Sequence, residues 1–438
     1  MATKKIRWSR SGRQRIADNM ASLKENLSTL IHYPTPQEQQ LVEFCMLPAI
    51  SLKWQSKPLW CMVVGPPSSG KTLHIELMKN WNDAVFVSSI TKNSLISGYR
   101  EDSSKDDDAP DPSLLPELDG KVMVLKDLTC LLEGPKDDLH AVMGQLRDVY
   151  DGEISKAFGN IGLQSHKSRF NMLIAVTPAI DSYHSVGQQL GERFIYRRET
   201  CTNRLKITQT AVKNLLTNKS QTNELAELER QFIQFIQELP LVTVSELHWD
   251  DEMFNRITIG ADFAALVRSH VARERGGYDP QSLALPEVGA RFGLQISQCI
   301  AGYCIANGID TPGDDAWNFG GARVLRDTLP MPICALLYTL WSKHYECVNT
   351  TGGIPLFGLE QLGRDTRLGT KSVRSILLDL ELHGLVGKMH SNRGGSRSTK
   401  FYLNKTTLEK INYLRLFDGY SLSPFELDLP DGVPADGH

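Results

Sequence analysis

The 438-residue chain has no run approaching 18 apolar residues, which argues against a membrane-spanning helix. Its start, MATKKIRWSRSGRQRIADNM, is basic but lacks the apolar core of a secretion signal. The eight cysteines, Cys45, Cys61, Cys130, Cys201, Cys299, Cys304, Cys334 and Cys347, include no C-x-x-C pair. Neither a zinc ribbon nor a small disulfide framework is therefore expected; they read as buried thiols in a reducing cytoplasm. Nor is one sign of charge in large excess. Lys and Arg number 48 against 51 Asp and Glu, a balance of −3, so a surface for a polyanion has to be local. Secreted scaffold, membrane protein and disordered chain are set aside. At roughly 150 residues per domain, the length suggests about three domains.

What is present is an alternation of elements. Short apolar runs at 59–64, 84–88, 122–125 and 172–176 read as buried strands, and 73–81 and 139–150 between them have helical spacing. Strands alternating with helices predict an α/β fold with a parallel sheet covered on both faces. Residues 101–119 interrupt this order with eight acids, the single base Lys105 and three prolines, and read as a solvated loop. After residue 205 helical patterns dominate, as in 224–238 and 261–275. The expected division is an N-terminal helical segment over 1–50, a nucleotide-binding core over 51–204, a helical lid over 205–330, a further module over 331–412 and an acidic tail over 413–438. The last 18 residues hold four acids and no Lys or Arg. They are expected to be a loose tail, or a short peptide for a protein partner.

The sharpest motif is Gly65, Pro66, Pro67, Ser68, Ser69, Gly70, Lys71 and Thr72, which fits G-x-x-x-x-G-K-[ST] between an apolar strand and an amphipathic helix. Glycines permit a loop whose amides point inward at a polyphosphate, and the helix start adds positive potential. Lys71 is expected at the β- and γ-phosphates of ATP and the Thr72 hydroxyl on Mg²⁺. Such a metal also needs an acid at the end of a second buried strand, and 121–126 leads to Asp127. No second acid adjoins it, because Lys126 precedes and Leu128 follows. Water activation then falls to Asp127 itself or to another acid such as Glu133, and slow turnover is one outcome.

The apolar run at 172–176, which begins at Phe170, ends at Thr177, where a polar side chain can report a γ-phosphate. An arginine cluster follows with Arg193, Arg197 and Arg198. Phosphate loop, acid-ended strand, polar sensor and arginine, in this order over about 55–310, resemble the AAA+ ATPases. The resemblance implies an oligomer, a hexameric ring by preference, with Arg193 completing a neighbour's site and Thr177 as first sensor. Arg291, at the start of a lid helix, is similar to the second sensor. A finer likeness lies in 146–159 and 165–169, a hairpin before the sensor strand that resembles the insertion of minichromosome maintenance helicases. It implies Lys156 and Lys167 as basic residues facing DNA in a pore, beside a loop at 91–99. Asp127 without a partner acid, and Thr177 in place of the usual asparagine, depart from that clade.

Residues 331–412 read as a winged helix: helices at 332–345, 356–366 and 370–383, then strands at 385–390 and 399–403 around a basic loop. The third helix is expected to be capped by Thr370 and ended by Gly384. It turns Val373, Ile376, Leu377 and Leu380 inward and Lys371, Ser372, Arg374 and Ser375 outward. With Arg393 and Arg397 in the wing, residues 360–405 carry nine bases against four acids, a patch suited to salt-sensitive DNA binding. The sequence-based expectation is a DNA-dependent, helicase-like AAA+ ATPase, motor or remodeller. The alternative is an ATP-controlled DNA-binding switch or loader, of a phage, plasmid or defence system, that hydrolyses little.

Overall fold

The computed structural model describes residues 5–31, 36–98, 112–159, 162–183, 193–199, 204–216, 221–269, 271, 273, 286–351, 355–393 and 396–422. Among the described residues before 200 there are seven strands: β1 (Trp60–Val64), β2 (Ala84–Val87), β3 (Val122–Leu125), β4 (Glu153–Phe158), β5 (Gly162–Lys167), β6 (Asn171–Val176) and β7 (Phe194–Arg198). Five of them form one parallel sheet in the order β2-β3-β6-β1-β7, while β4 and β5 pair off as an antiparallel hairpin. Every residue of β1, β3, β6 and β7 is buried, which is why these strands read as unbroken apolar runs. Alternate side chains enter two cores. Cys61, Val63, Leu173 and Ile195 face one, and Trp60, Met62, Met172 and Phe194 the other.

Helices close both cores: α1 (Arg10–Leu30), α2 (Leu41–Ile50) and α3 (Lys71–Glu76) cover the first, α4 (Lys136–Tyr150) covers the second, and α5 (Gln221–Glu238), α6 (Asp251–Arg268), α7 (Ala290–Ala306) and α8 (Arg323–Thr328) add to the first. The described residues of the 1–50 segment thus join the same core as the sheet. Ile16, Met20, Leu23, Leu27 and Leu30 make a helical stripe on α1, and Lys24 pairs with Glu43 of α2, whose carboxyl burial pushes up. The side chain of Asn171 ties α2 to the sheet, accepting from Leu59 N (2.9 Å) and donating to the Pro48 carbonyl (2.7 Å). Three boundaries differ from expectation. The helix after the phosphate motif ends at Glu76 and gives way to turns. The helix expected at 261–275 runs instead from Asp251 to Arg268, because Asp250 accepts from Met253 N (2.7 Å) and caps it there. Of the acidic loop, 101–111 lies outside the described residues. The rest contains a short helix, Leu115–Leu118, with both end leucines fully buried.

The C-terminal module comprises α9 (Met331–Thr351), β8 (Phe357–Gly358), α10 (Leu359–Thr366), α11 (Thr370–Leu382), β9 (Val386–Arg393), β10 (Ser396–Leu403) and α12 (Lys405–Tyr413), with an antiparallel sheet in the order β8-β10-β9. The cap of α11 is Gly369, not Thr370, and no side chain caps it. Val373, Leu377 and Leu380 are buried and Ile376 half-buried. Fully buried Trp317 donates to the Leu414 carbonyl (2.9 Å), His383 Nε2 donates to that of Ser269 (3.1 Å), and Arg273 pairs with Asp379. These contacts dock the module on the helices before it. The stretch after α12 begins as packed chain rather than as a tail, since Leu414, Leu416 and Phe417 are buried; residues 423–438 lie outside the described set. Cys45, Cys61, Cys299, Cys304 and Cys334 are buried and Cys130 is exposed. Among the described residues, no helix is long and apolar enough to cross a membrane.

Candidate nucleotide-binding site

The phosphate motif follows β1, between β6 and β7, at the carboxyl edge of the sheet. Gly65 N donates to the Val176 carbonyl (3.1 Å) and Glu199 N to that of Val64 (2.8 Å), so both flanking strands hold the loop's root. Gly70 has φ +81° and ψ 0°, and a Cβ there would meet nothing within 4 Å; the turn alone demands glycine. That turn brings Lys71 back across the loop. Its Nζ donates to the carbonyls of Gly65 and Pro66 (2.6 Å each) and to Ser69 Oγ (3.3 Å). An ammonium cradled by loop carbonyls, and almost fully buried, has the chemistry to exchange those oxygens for phosphate oxygens. His74, one turn into α3 and fully buried, donates from Nδ1 to the Gly70 carbonyl (2.9 Å). Burial lowers its pKa, with Gly70 and Glu199 opposing that shift, and the neutral ring braces the turn.

Since β6 lies between β1 and β3, Thr177 at its end stands between the phosphate loop and Asp127. Thr177 and Thr129 share a hydrogen bond between hydroxyls (3.3 Å). Asp127 is exposed, and its Oδ1 accepts from Thr129 N (2.8 Å), which fixes the carboxylate at the strand's end. Thr72 is likewise exposed. Lys126 turns away to Glu76 of α3 (2.7 Å), stapling the helix that follows the phosphate loop to the strand that carries Asp127. Glu133 is exposed beyond the short helix Thr129–Leu132.

Arg193 and Arg291 lie elsewhere. Arg193 precedes Phe194, which pairs with Trp60, the first residue of β1; Gly65 follows its last. At about 3.3 Å per residue, Arg193 and Gly65, six register positions apart, are separated by roughly 20 Å along the strand. Trp60 builds this opposite edge, with Tyr150, Phe170 and Phe194 ring centroids at 5.0, 5.7 and 5.2 Å and its Nε1 donating to the Phe170 carbonyl (3.0 Å). Contacts of this kind contribute about 0.5–1.5 kcal/mol each. They fix Tyr150 and Phe194, and with them the neighbours Asp151 and Arg193. Arg193 is only 7% exposed, donates to Asp151 (3.3 Å) and lies over the Tyr150 ring (5.6 Å). Burial, then the nearby Arg291, pull its pKa down. Burial pushes the Tyr150 phenol up to about 12. Gln295, one turn beyond Arg291 on α7, donates to the Arg193 carbonyl (2.7 Å), so Arg291, paired with Glu287 (3.5 Å), lies on Arg193's edge.

Residues that sequence reasoning did not single out crowd the phosphate edge instead. Glu199 accepts from Arg197 (2.8 Å) and pairs with Arg323 of α8 (3.4 Å), which also bonds Asp327 (3.3 Å). Arg198 makes a two-pronged pair with Asp181 (2.7 and 2.8 Å), and Asp181 Oδ1 accepts from Met331 N (3.3 Å) at the start of α9. Only the doublet Arg197–Arg198 was visible as a cluster; the bonds of Arg198 reach as far as the Leu329 carbonyl, 131 residues on.

The hairpin projects beside the loop at 91–98. Lys156 Nζ donates to the Lys92 carbonyl (3.1 Å) and Asn93 Oδ1 (3.4 Å), whereas Lys167 is exposed, 4.0 Å from Glu153. In the C-terminal module Lys371 and Arg374 are exposed on the first turns of α11, and Arg393 and Arg397 lie at the adjoining ends of β9 and β10. Against known proteins, no protein-family model matches the chain and no curated protein is significantly similar to it.

Proposed function

We propose that the chain is an AAA+-type ATPase that acts on DNA. The observation that carries the reading is the convergence, on one end of a parallel sheet, of the loop Gly65–Thr72, Thr177 and Asp127 at the ends of neighbouring strands β1, β6 and β3. Open parallel sheets bind ligands at that end. Lys71 and the loop amides would hold the triphosphate, and Thr72 and Asp127 would hold Mg²⁺, directly or through water; the metal neutralises developing phosphate charge. Among the described residues no three His, Cys, Asp or Glu side chains converge to hold a metal, which suits an ion that shares its ligands with phosphates.

Arg193 and Arg291, together on the far edge, suit action on the nucleotide of an adjacent subunit, in a homo-oligomer that the resemblance makes a six-membered ring. For DNA the reading draws on the hairpin and on the C-terminal module, whose helices and antiparallel strands suit a winged helix and whose Lys371 and Arg374 are exposed. The free thiols suit a cytoplasmic setting. A second reading, an ATP-controlled switch or loader with little turnover, is favoured by Asp127: its Oδ1 accepts from Thr129 N, and no acid adjoins it, since Lys126 precedes and Leu128 follows.

Steady-state ATP hydrolysis by wild type and Lys71→Ala, with no DNA, single strands or duplex, separates these. DNA-stimulated turnover lost in Lys71→Ala supports the motor. Background turnover with nucleotide-dependent assembly supports the switch, and absence of nucleotide binding sinks both.

A further inference from the structure

The hairpin's two lysines face opposite ways. Its register pairs Glu153 with Lys167, Ser155 with Ser165 and Ala157 with Leu163; between these alternate Ile154 with His166, Lys156 with Gln164 and Phe158 with Gly162. Paired residues share a face and successive pairs change face. The first set is exposed throughout. In the second, Ile154 is buried and Lys156, Phe158, Gln164 and His166 are half-buried.

The covered face lies on the loop at 91–98. The Lys92 carbonyl accepts from both Lys156 Nζ (3.1 Å) and Gln145 Nε2 (2.8 Å), and the Lys92 ammonium pairs with Asp138 of α4 (2.9 Å). The Phe158 ring fills the space beside Gly98 so closely that a Cβ there would stand 2.2 Å from it. Lys156 Nζ also lies 5.1 Å from that ring's centre.

We propose that Lys156 is a positioning residue that clamps the hairpin to the loop at 91–98, and that the hairpin meets nucleic-acid phosphates through the other face, by Lys167 with the Ser155 and Ser165 hydroxyls. The second half rests on the DNA-acting reading; the first does not. Burial and the neighbouring Lys92 lower the pKa of Lys156, in keeping with a partly desolvated ammonium held by oxygens. Ser155 donates to Ser165 (2.9 Å) and Ser165 to the Glu153 carboxylate (3.1 Å), which Lys167 faces at 4.0 Å, so a phosphate oxygen meeting this row would take the acceptor place that Glu153 now fills.

The test uses the full chain. In free protein, Lys156→Gln and Gly98→Ala should each speed chymotryptic cleavage after Phe158 by roughly two- to tenfold, the effect of losing one or two modest contacts, while Lys167→Gln should not. On a short single strand over a salt series, Lys167→Gln should lower the slope of log affinity against log salt by about 0.7, and Lys156→Gln should leave it unchanged. Unchanged cleavage in Lys156→Gln overturns the clamp. So does a slope loss in Lys156→Gln matching that of Lys167→Gln. An unchanged slope in Lys167→Gln overturns the outer contact. If wild type binds no DNA, the DNA reading and the outer contact fail, and the cleavage comparison still decides the clamp.

Discussion

Arg193 donates to Asp151 across 3.3 Å at the edge of the sheet away from Lys71. One chain therefore carries a phosphate loop on one edge and a braced arginine on the other. If the arginine serves a neighbour, Arg193→Ala should keep ATP binding and lose hydrolysis by on the order of a thousandfold. Mixing Arg193→Ala with Lys71→Ala should restore part of the turnover, because interfaces form that pair an intact loop with an intact arginine. Normal hydrolysis by Arg193→Ala alone refutes the shared site.

Gly70→Ala puts a side chain at φ +81° with no clash, so its effect is conformational. A cost of about 1 kcal/mol in the loop should weaken ATP binding roughly fivefold, measured by fluorescent-nucleotide titration. Lys71→Ala should abolish it. Equal binding by Gly70→Ala and wild type means the loop adopts another shape when it binds.

His74 gives a pH dependence. Its pKa is lowered by burial, so the unfolded chain binds the proton more readily than the folded one. Stability is thus complete above the unfolded value near 6.5 and is lost as pH falls through it, by at most about 1.4 kcal/mol per pH unit. Glu199 and Gly70 moderate the effect and Arg197 adds to it. Denaturant midpoints between pH 7.5 and 5.5 should fall more steeply in wild type than in His74→Asn. Parallel curves would show that another group dominates.

Lys371 and Arg374 stand exposed on the first turns of α11. Replacing both with alanine should reduce the salt slope of duplex binding by about 1.8, and affinity at low salt with it, while leaving ATP binding intact. A duplex affinity that ignores both residues would turn the module toward protein contact.

Much of the candidate site was legible because its pattern is local: Gly70, Lys71 and Thr72 are adjacent, and β1 and β3 are plain apolar runs. Arg291 shows the limit. Its place at a helix start was readable, but not the edge of the sheet it joins, which depends on how α7 crosses the strands. The Glu199–Arg323 pair joins positions 124 residues apart and leaves no local pattern. Lys156 and Lys167 both looked basic and exposed until the hairpin's register separated them. Asp250 announced the start of α6, yet the weak apolar stripe behind it hid that signal.

Placing loop and arginines on opposite edges has an arithmetical consequence for assembly. An open arc of subunits always holds one complete site fewer than it has members, and closure supplies the last. Turnover per subunit would then register whether the assembly is shut, and would climb with protein concentration even when every subunit is saturated with ATP.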